Sequence, residues 1–189
     1  VDPWAWLNKL ESEMNSEDRD VVTLLIENYV EPDHLKEIFD DVGLSEMMYI
    51  HDMNSEWPTL IEMINMNKRL VVFWEQSGDS SHPYFHDFLT HSWTTNYADD
   101  DTSSMDCEKL RGDVNQPVFH MNNWLKNQAG LSDPNRAGEA NDVDFMVERA
   151  IECIELHGKR PTFIAVDWWE EGDVVEAVER VNLMELETD

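Results

Sequence analysis

Apolar residues along this chain fall into two alternating kinds of run. Val21 to Ile26, Arg69 to Trp74, Val118 to Met121 and Thr162 to Val166 are short, nearly continuous and rich in β-branched and aromatic side chains. Runs of that length read as strands covered on both faces. Met47 to Ile50 is a shorter strand candidate. Between them the apolar positions recur at helical spacing. Trp4, Leu7, Leu10 and Met14 share one face of a helix over 4–14. Pro32 opens a helix to about Phe39, since proline suits a first helical turn. Trp57 to Leu60 leads a helix to about Asn67. Asp142 to Leu156 places Phe145, Met146, Ala150, Cys153 and Ile154 inward, with Gly158 as its C-terminal cap. A last helix covers 172–184.

About five strands alternating with helices imply an α/β fold with a parallel sheet and right-handed crossovers. Gly43 closes one such unit, and no internal repeat or domain boundary is visible. Two stretches break the pattern. Residues 75–116 are polar and rich in Ser, Asp, Thr and His, with only Pro83 to His91 helical in character. A long irregular segment of this kind is usually functional or mobile. Lys126 to Ala140, with Gly130, Pro134 and Gly138, reads as loop.

Charge changes the picture most. The chain has 189 residues with 41 acids against 13 bases, a formal net charge of -28. Nucleic-acid binding needs a basic face, so that class is excluded as a partner. Tight adsorption to anionic membranes, which recruit Lys and Arg clusters, is disfavoured too. The ordinary reading is a heavily solvated surface, suited to a saline, acidic or calcium-rich setting. The sharper one is a site for cations. Hydrophobic residues at 41% support a globular core.

The two cysteines are too few for a disulfide framework or a zinc site, and they leave the redox compartment open. Cys153 reads as a core residue and Cys107 as part of a loop. No run reaches the ~18 apolar residues of a membrane span, and no signal peptide is visible. The chain opens at Val1 inside a helical pattern, which suggests a fragment or a processed chain.

Four segments carry a resemblance. They are Trp57-Pro-Thr-Leu-Ile-Glu-Met-Ile64 with Lys68-Arg-Leu-Val-Val-Phe73; Cys107-Glu-Lys-Leu-Arg-Gly112 with Pro117-Val-Phe-His-Met-Asn-Asn-Trp-Leu125; Arg160 to Asn182; and the strand Val21 to Asn28, ending in Glu-Asn. Taken in chain order they resemble the phosphatidylinositol-specific phospholipase C-like phosphodiesterases, whose fold is a distorted TIM-like barrel. The resemblance begins at about the fourth strand of that barrel. Residues 1–189 are then expected to be a single domain of this barrel type with its N-terminal strands missing, because a full barrel takes eight strands and typically ~250 residues.

The resemblance implies hydrolysis of a phosphoric diester, in a phosphoinositide or glycerophosphodiester substrate, by two histidines acting as base and acid. Both would lie upstream of Val1. His51, His82, His86, His91 and His120 lack the family's pattern and read as surface histidines. Glu27 matches a strand-end ligand of calcium-dependent relatives, making calcium the implied cofactor, although one acid does not make a calcium site. Asp167 matches a late acid that supports the base histidine in metal-independent relatives. Asn122 and Trp168 are implied substrate contacts, and Asn123 departs from the family's Asn-His. Asp99, Asp100, Asp101 and Asp106 lack the spacing of a calcium loop and read as a charged loop. The expected partners are a phospholipid or other phosphodiester and the missing N-terminal half. The expected place is secreted or membrane-peripheral. The alternatives are an inactive binding or structural remnant of the same fold, and an acidic calcium-binding α/β domain.

Overall fold

The computed structural model describes residues 2–27, 29–75, 82–97 and 99–184. Asn28 of the Glu-Asn strand ending lies outside them, as does 76–81 within the long polar segment. The chain divides into two compact units, 1–90 and 91–189.

The first unit opens with helix α1 (Pro3–Ser16), capped by the Asp2 carboxylate accepting from the Trp4 N–H. Strand β1 (Val22–Ile26) and helix α2 (Pro32–Asp41) follow. Helix α3 (Leu60–Asn65) starts at a capping box in which Thr59 and Glu62 satisfy each other's backbone N–H groups. Strands β2 (Leu70–Trp74) and β3 (His86–Asp87) complete a three-stranded parallel sheet of order β1-β2-β3. Every residue of central β2 is buried, as its unbroken apolar run implies. β1 differs from that expectation. It lies at the sheet edge among the described residues, is only half-buried, and leaves Leu25 39% exposed. Met47 to Ile50 is also not a strand. A 3-10 turn (Ser45–Met47) leads to a single bridge from Met48 to Leu70. Leu7, Met14, Ile38, Phe39, Val72 and Trp74 make the core. Buried Arg69 ties the end of α1 to the start of β2, donating to the carbonyls of Met14, Glu17 and Asp20.

The one-turn helix α4 (Phe88–His91) leads into β4 (Ser92–Thr95). The second unit continues with β5 (Lys109–Gly112), β6 (Val118–Asn122), α5 (Ala137–Ala140), α6 (Val143–His157), β7 (Phe163–Ala165) and α7 (Val174–Leu183). Its sheet order is β5-β4-β6-β7, with β4–β5 antiparallel and the other pairs parallel. Trp93 stacks on Phe119 at 3.9 Å between ring centroids, and Met121, Ala150, Cys153 and Val181 join them in one core. Strand alternation gives the opposite face to Ser92, Thr94, His120 and Asn122.

Strands β4 and β5 fall within the segment expected to be irregular, and β3 takes up His86–Asp87 of the stretch expected to be helical, of which only Phe88–His91 is helix. Ser92-Trp-Thr-Thr is a strand fully buried despite its hydroxyls. Gly112 closes β5 at φ +78°, where an added Cβ would lie 2.2 Å from the Ser92 carbonyl oxygen. The cysteines are also not independent. Cys107 and Cys153 form a disulfide with Cα atoms 5.1 Å apart. The α/β class stands, and the strands described form two sheets, neither closed.

Candidate functional site

Parallel strands gather functional groups at their carboxyl ends, because the loops that follow them share one edge of the sheet. In the second unit that edge is organised by Arg149, a helix residue only 2% exposed. Its Nε donates to the Met105 carbonyl at 3.1 Å and one terminal nitrogen donates to the Asn122 carbonyl at 2.6 Å and Asn123 Oδ1 at 3.0 Å. The other reaches the Asp106 carbonyl at 2.9 Å and Thr95 Oγ1 at 3.5 Å. Burial pulls its pKa down to about 10, so it remains a cation at neutral pH. Asp99 nearby is buried too, contrary to its reading as part of a solvated acidic loop. Desolvation raises its pKa, with Asn96 donating to one carboxylate oxygen.

Asn122 ends β6 with its side chain turned to the protein. Its Nδ2 donates to the Thr95 carbonyl and its backbone N–H to Thr95 Oγ1, both at 3.0 Å. Asn123 donates from its side chain to the Ala140 carbonyl at 2.6 Å and from its backbone to Ala165 at 2.7 Å. Both asparagines therefore fix the strand ends.

Asp167 follows β7, half-buried, and begins a constrained turn. Trp168 adopts φ +54°, a left-handed conformation costly for a residue with a side chain. The buried Asn141 amide holds it there, donating to the carbonyls of Asp167 and Trp168 at 3.0 and 3.2 Å. Gly172, at φ +87°, lets the chain pass Asn141, because an added Cβ would sit 2.3 Å from the Asn141 carbonyl oxygen. The Trp168 indole N–H donates to Ser132 Oγ at 2.9 Å. Thus Asn122 and Asp167 terminate the neighbouring strands β6 and β7, with Trp168 beside Asp167.

Glu27 belongs to the first unit and is exposed just past β1. Glu75 follows the adjacent β2, its backbone N–H donating to the Ile26 carbonyl. Two acids thus cap neighbouring strands, a feature hidden in the sequence until β1 and β2 are paired. Among the described residues no three His, Cys, Asp or Glu side chains are placed to hold a metal ion. Glu27 and Glu75 alone do not fit the several oxygen ligands of calcium.

The histidines expected at the surface are structural. His51 stacks on Trp57 at 4.0 Å between ring centroids, and burial lowers its pKa. His86 Nε2 accepts from the His51 backbone N–H, so Nδ1 carries the proton and donates to the Val72 carbonyl. His82 and His91 are buried, and His82 contacts Asp33 at 2.8 Å. His120 is held near pKa 4, chiefly by burial and then by the Arg111 charge. Aromatic neighbours and backbone carbonyls draw these rings inward.

A family model described as PI-PLC X 1 matches residues 4–182. The chain belongs to the PI-PLC X domain family. Two relatives come from Arthroderma benhamiae. "PI-PLC X domain-containing protein 1" is 28% identical over 199 residues, covering 94% of this chain and 64% of that protein. "Uncharacterized secreted protein" is 27% identical over 192 residues, covering 90% of this chain and 43% of that protein. The PI-PLC X match therefore spans less than two thirds of either relative's length. No solved structure matches this PI-PLC X chain. Among its described residues no helix is long and apolar enough to cross a membrane.

Proposed function

We propose that this chain forms part of a phosphoric diester hydrolase acting on phosphoinositide or glycerophosphodiester substrates, with a TIM-like barrel completed by polypeptide outside these 189 residues. The observation that carries the reading is the PI-PLC X match over residues 4–182. Carboxylates and a rigid aromatic turn at the carboxyl ends of parallel strands are consistent with it. In this reading Asp167 supports a base histidine, Trp168 lies against the substrate, Asn122 positions the strand end, and Glu27 contributes to a calcium site. The two proton-transfer histidines come from the additional polypeptide, which is also the chain's main partner. Secretion, or residence at a membrane surface, fits the relative named as secreted and the Cys107–Cys153 disulfide.

One observation favours a second reading. His51, His82, His86, His91 and His120 are each half-buried or buried, a poor arrangement for proton exchange with substrate. A member that binds without turnover would look the same. The test is release of water-soluble phosphate ester from phosphatidylinositol vesicles, with calcium and with a chelator, by the protein at its natural length. Release that falls on Asp167→Asn supports hydrolysis. Binding without release supports the second reading.

A further inference from the structure

A cavity of about 410 Å³ opens on the first unit, lined by Glu56, Trp57, Pro58, Glu62, Asn65 and Met66. Its volume falls among those of small-ligand sites, roughly 300–1,000 Å³. It stands outside the hydrolase reading, since α3 leads into the amino end of β2 whereas Glu75 follows the carboxyl end. Its walls are fixed by contacts of their own. Trp57 is half-buried, with His51 stacked on its ring at 4.0 Å and Tyr49 and Phe73 each 5.8 Å away between ring centroids. The capping box fixes Glu62, whose Oε2 accepts from the Thr59 backbone N–H at 2.8 Å and from the Thr59 hydroxyl at 2.7 Å. Those two bonds hold its carboxyl below the ordinary pKa, so it is ionised at neutral pH, and they leave Oε1 to accept from a ligand.

Charge and chemistry select the occupant. Residues 49–67 carry Asp52, Glu56 and Glu62 and no Lys or Arg. The next base, Lys68, donates to the Glu46 carbonyl at 2.6 Å. An anion is therefore repelled, and a neutral apolar ligand would strip water from two carboxylates without replacing its hydrogen bonds. A hard metal ion takes about six or more oxygen ligands, which two carboxylates and one amide do not supply. An organic cation satisfies every wall. Its N–H groups donate to Glu56 and Glu62, the indole attracts its charge, and a methylene stem covers Pro58 and the half-exposed Met66. We infer that this cavity binds a guanidinium or ammonium cation carried on an aliphatic stem, a chemistry offered by a free amine or by the side chain of a basic peptide.

Isothermal titration calorimetry on the protein at its natural length tests it, in 0.15 M sodium chloride. The probes are butylguanidinium, its neutral isostere butylurea, and an acetylated leucine–arginine–leucine tripeptide amide. Butylguanidinium is expected to bind at one site and butylurea not to bind. Glu56→Gln/Glu62→Gln is expected to weaken butylguanidinium roughly tenfold, the scale of losing two exposed ion pairs. Glutamine still serves at the third position of a capping box, so α3 keeps its start. Glu155→Gln/Glu179→Gln removes the same charge from exposed positions on α6 and α7 and is expected to leave binding unchanged. Tighter binding of the tripeptide than of butylguanidinium assigns the cation to a peptide partner, and equal or weaker binding assigns it to a free amine. No binding of butylguanidinium, equal binding of butylurea, or unchanged binding by Glu56→Gln/Glu62→Gln would overturn the inference. So would an equal loss in both double variants, which would show only the general attraction of an acidic protein. Every readout is binding at this cavity, so the inference and the hydrolase reading fail separately.

Discussion

The Arg149 guanidinium donates to the Asn122 carbonyl at 2.6 Å, placing a buried cation beneath the residue that ends β6. The same side chain makes four further hydrogen bonds, to Thr95, Met105, Asp106 and Asn123. One arginine on α6 thereby fixes the carboxyl edge where the candidate residues stand. Arg149→Met leaves several buried acceptors unpaired and is expected to cost about 3–5 kcal/mol. Arg149→Lys recovers only part, since an ammonium cannot reproduce the fork. Urea denaturation midpoints check both.

Cys153 lies one turn beyond Arg149 on α6, and His157 one turn further. All three hold the same segment, through the disulfide to Cys107 and the His157 hydrogen bond to the Cys107 carbonyl at 2.7 Å. Loop-closure entropy for a separation of 46 residues corresponds to about 4 kcal/mol. The Cys107→Ala/Cys153→Ala double variant is expected to melt well below the oxidised protein. Equal melting temperatures would show that the bond does not constrain the unfolded chain.

His120 sets a pH dependence. Its folded pKa is near 4 against 6.5 unfolded, so the unfolded state takes up the proton first. Stability attributable to this ring is full above about pH 6.5 and is lost as pH falls toward 4, by roughly 3 kcal/mol at most. Asp99 opposes it, because its raised pKa removes stability as pH rises through the acidic range. His120→Asn is expected to flatten the stability profile between pH 6.5 and 4. An unchanged profile would contradict the burial argument.

A net charge of -28 repels itself most in the compact state. Melting temperature is expected to rise with sodium chloride over the first ~0.5 M, as the screening length falls to a few ångströms. A flat or falling response would show that the charge is already neutralised, for example by bound cations.

Gly172→Ala tests the turn directly. The new Cβ meets the Asn141 carbonyl oxygen at 2.3 Å while φ is +87°, so the turn must shift. The expected cost is about 2 kcal/mol or more, with changed fluorescence from Trp168 and Trp169. A variant as stable as the parent would show that Asn141 is not a fixed support.

Much of the architecture was legible because packing and local signals agreed. β2 reads as an unbroken apolar run and is buried throughout, and α6 carries both its Asp142 cap and its Gly158 stop. β4 was not legible. Ser92 and Thr94 are hydroxyl residues on a buried face, and their burial depends on neighbours remote in sequence. Arg149 escaped for the same reason, since its acceptors are carbonyls more than 25 residues away. Of the candidate residues, Asp167 and Glu27 were readable as strand-end acids. Glu75 became visible only through the pairing of β1 with β2, and Asn141 only through its hydrogen bonds.

The measurement that tests the central claim most directly is phosphatidylinositol hydrolysis by this 189-residue chain beside the protein at its natural length. The account predicts inositol phosphate release by the natural-length protein and none by the chain alone, because the proposed reading assigns the proton-transfer histidines to further polypeptide. Turnover by the chain alone that disappears on Glu27→Gln would contradict that account.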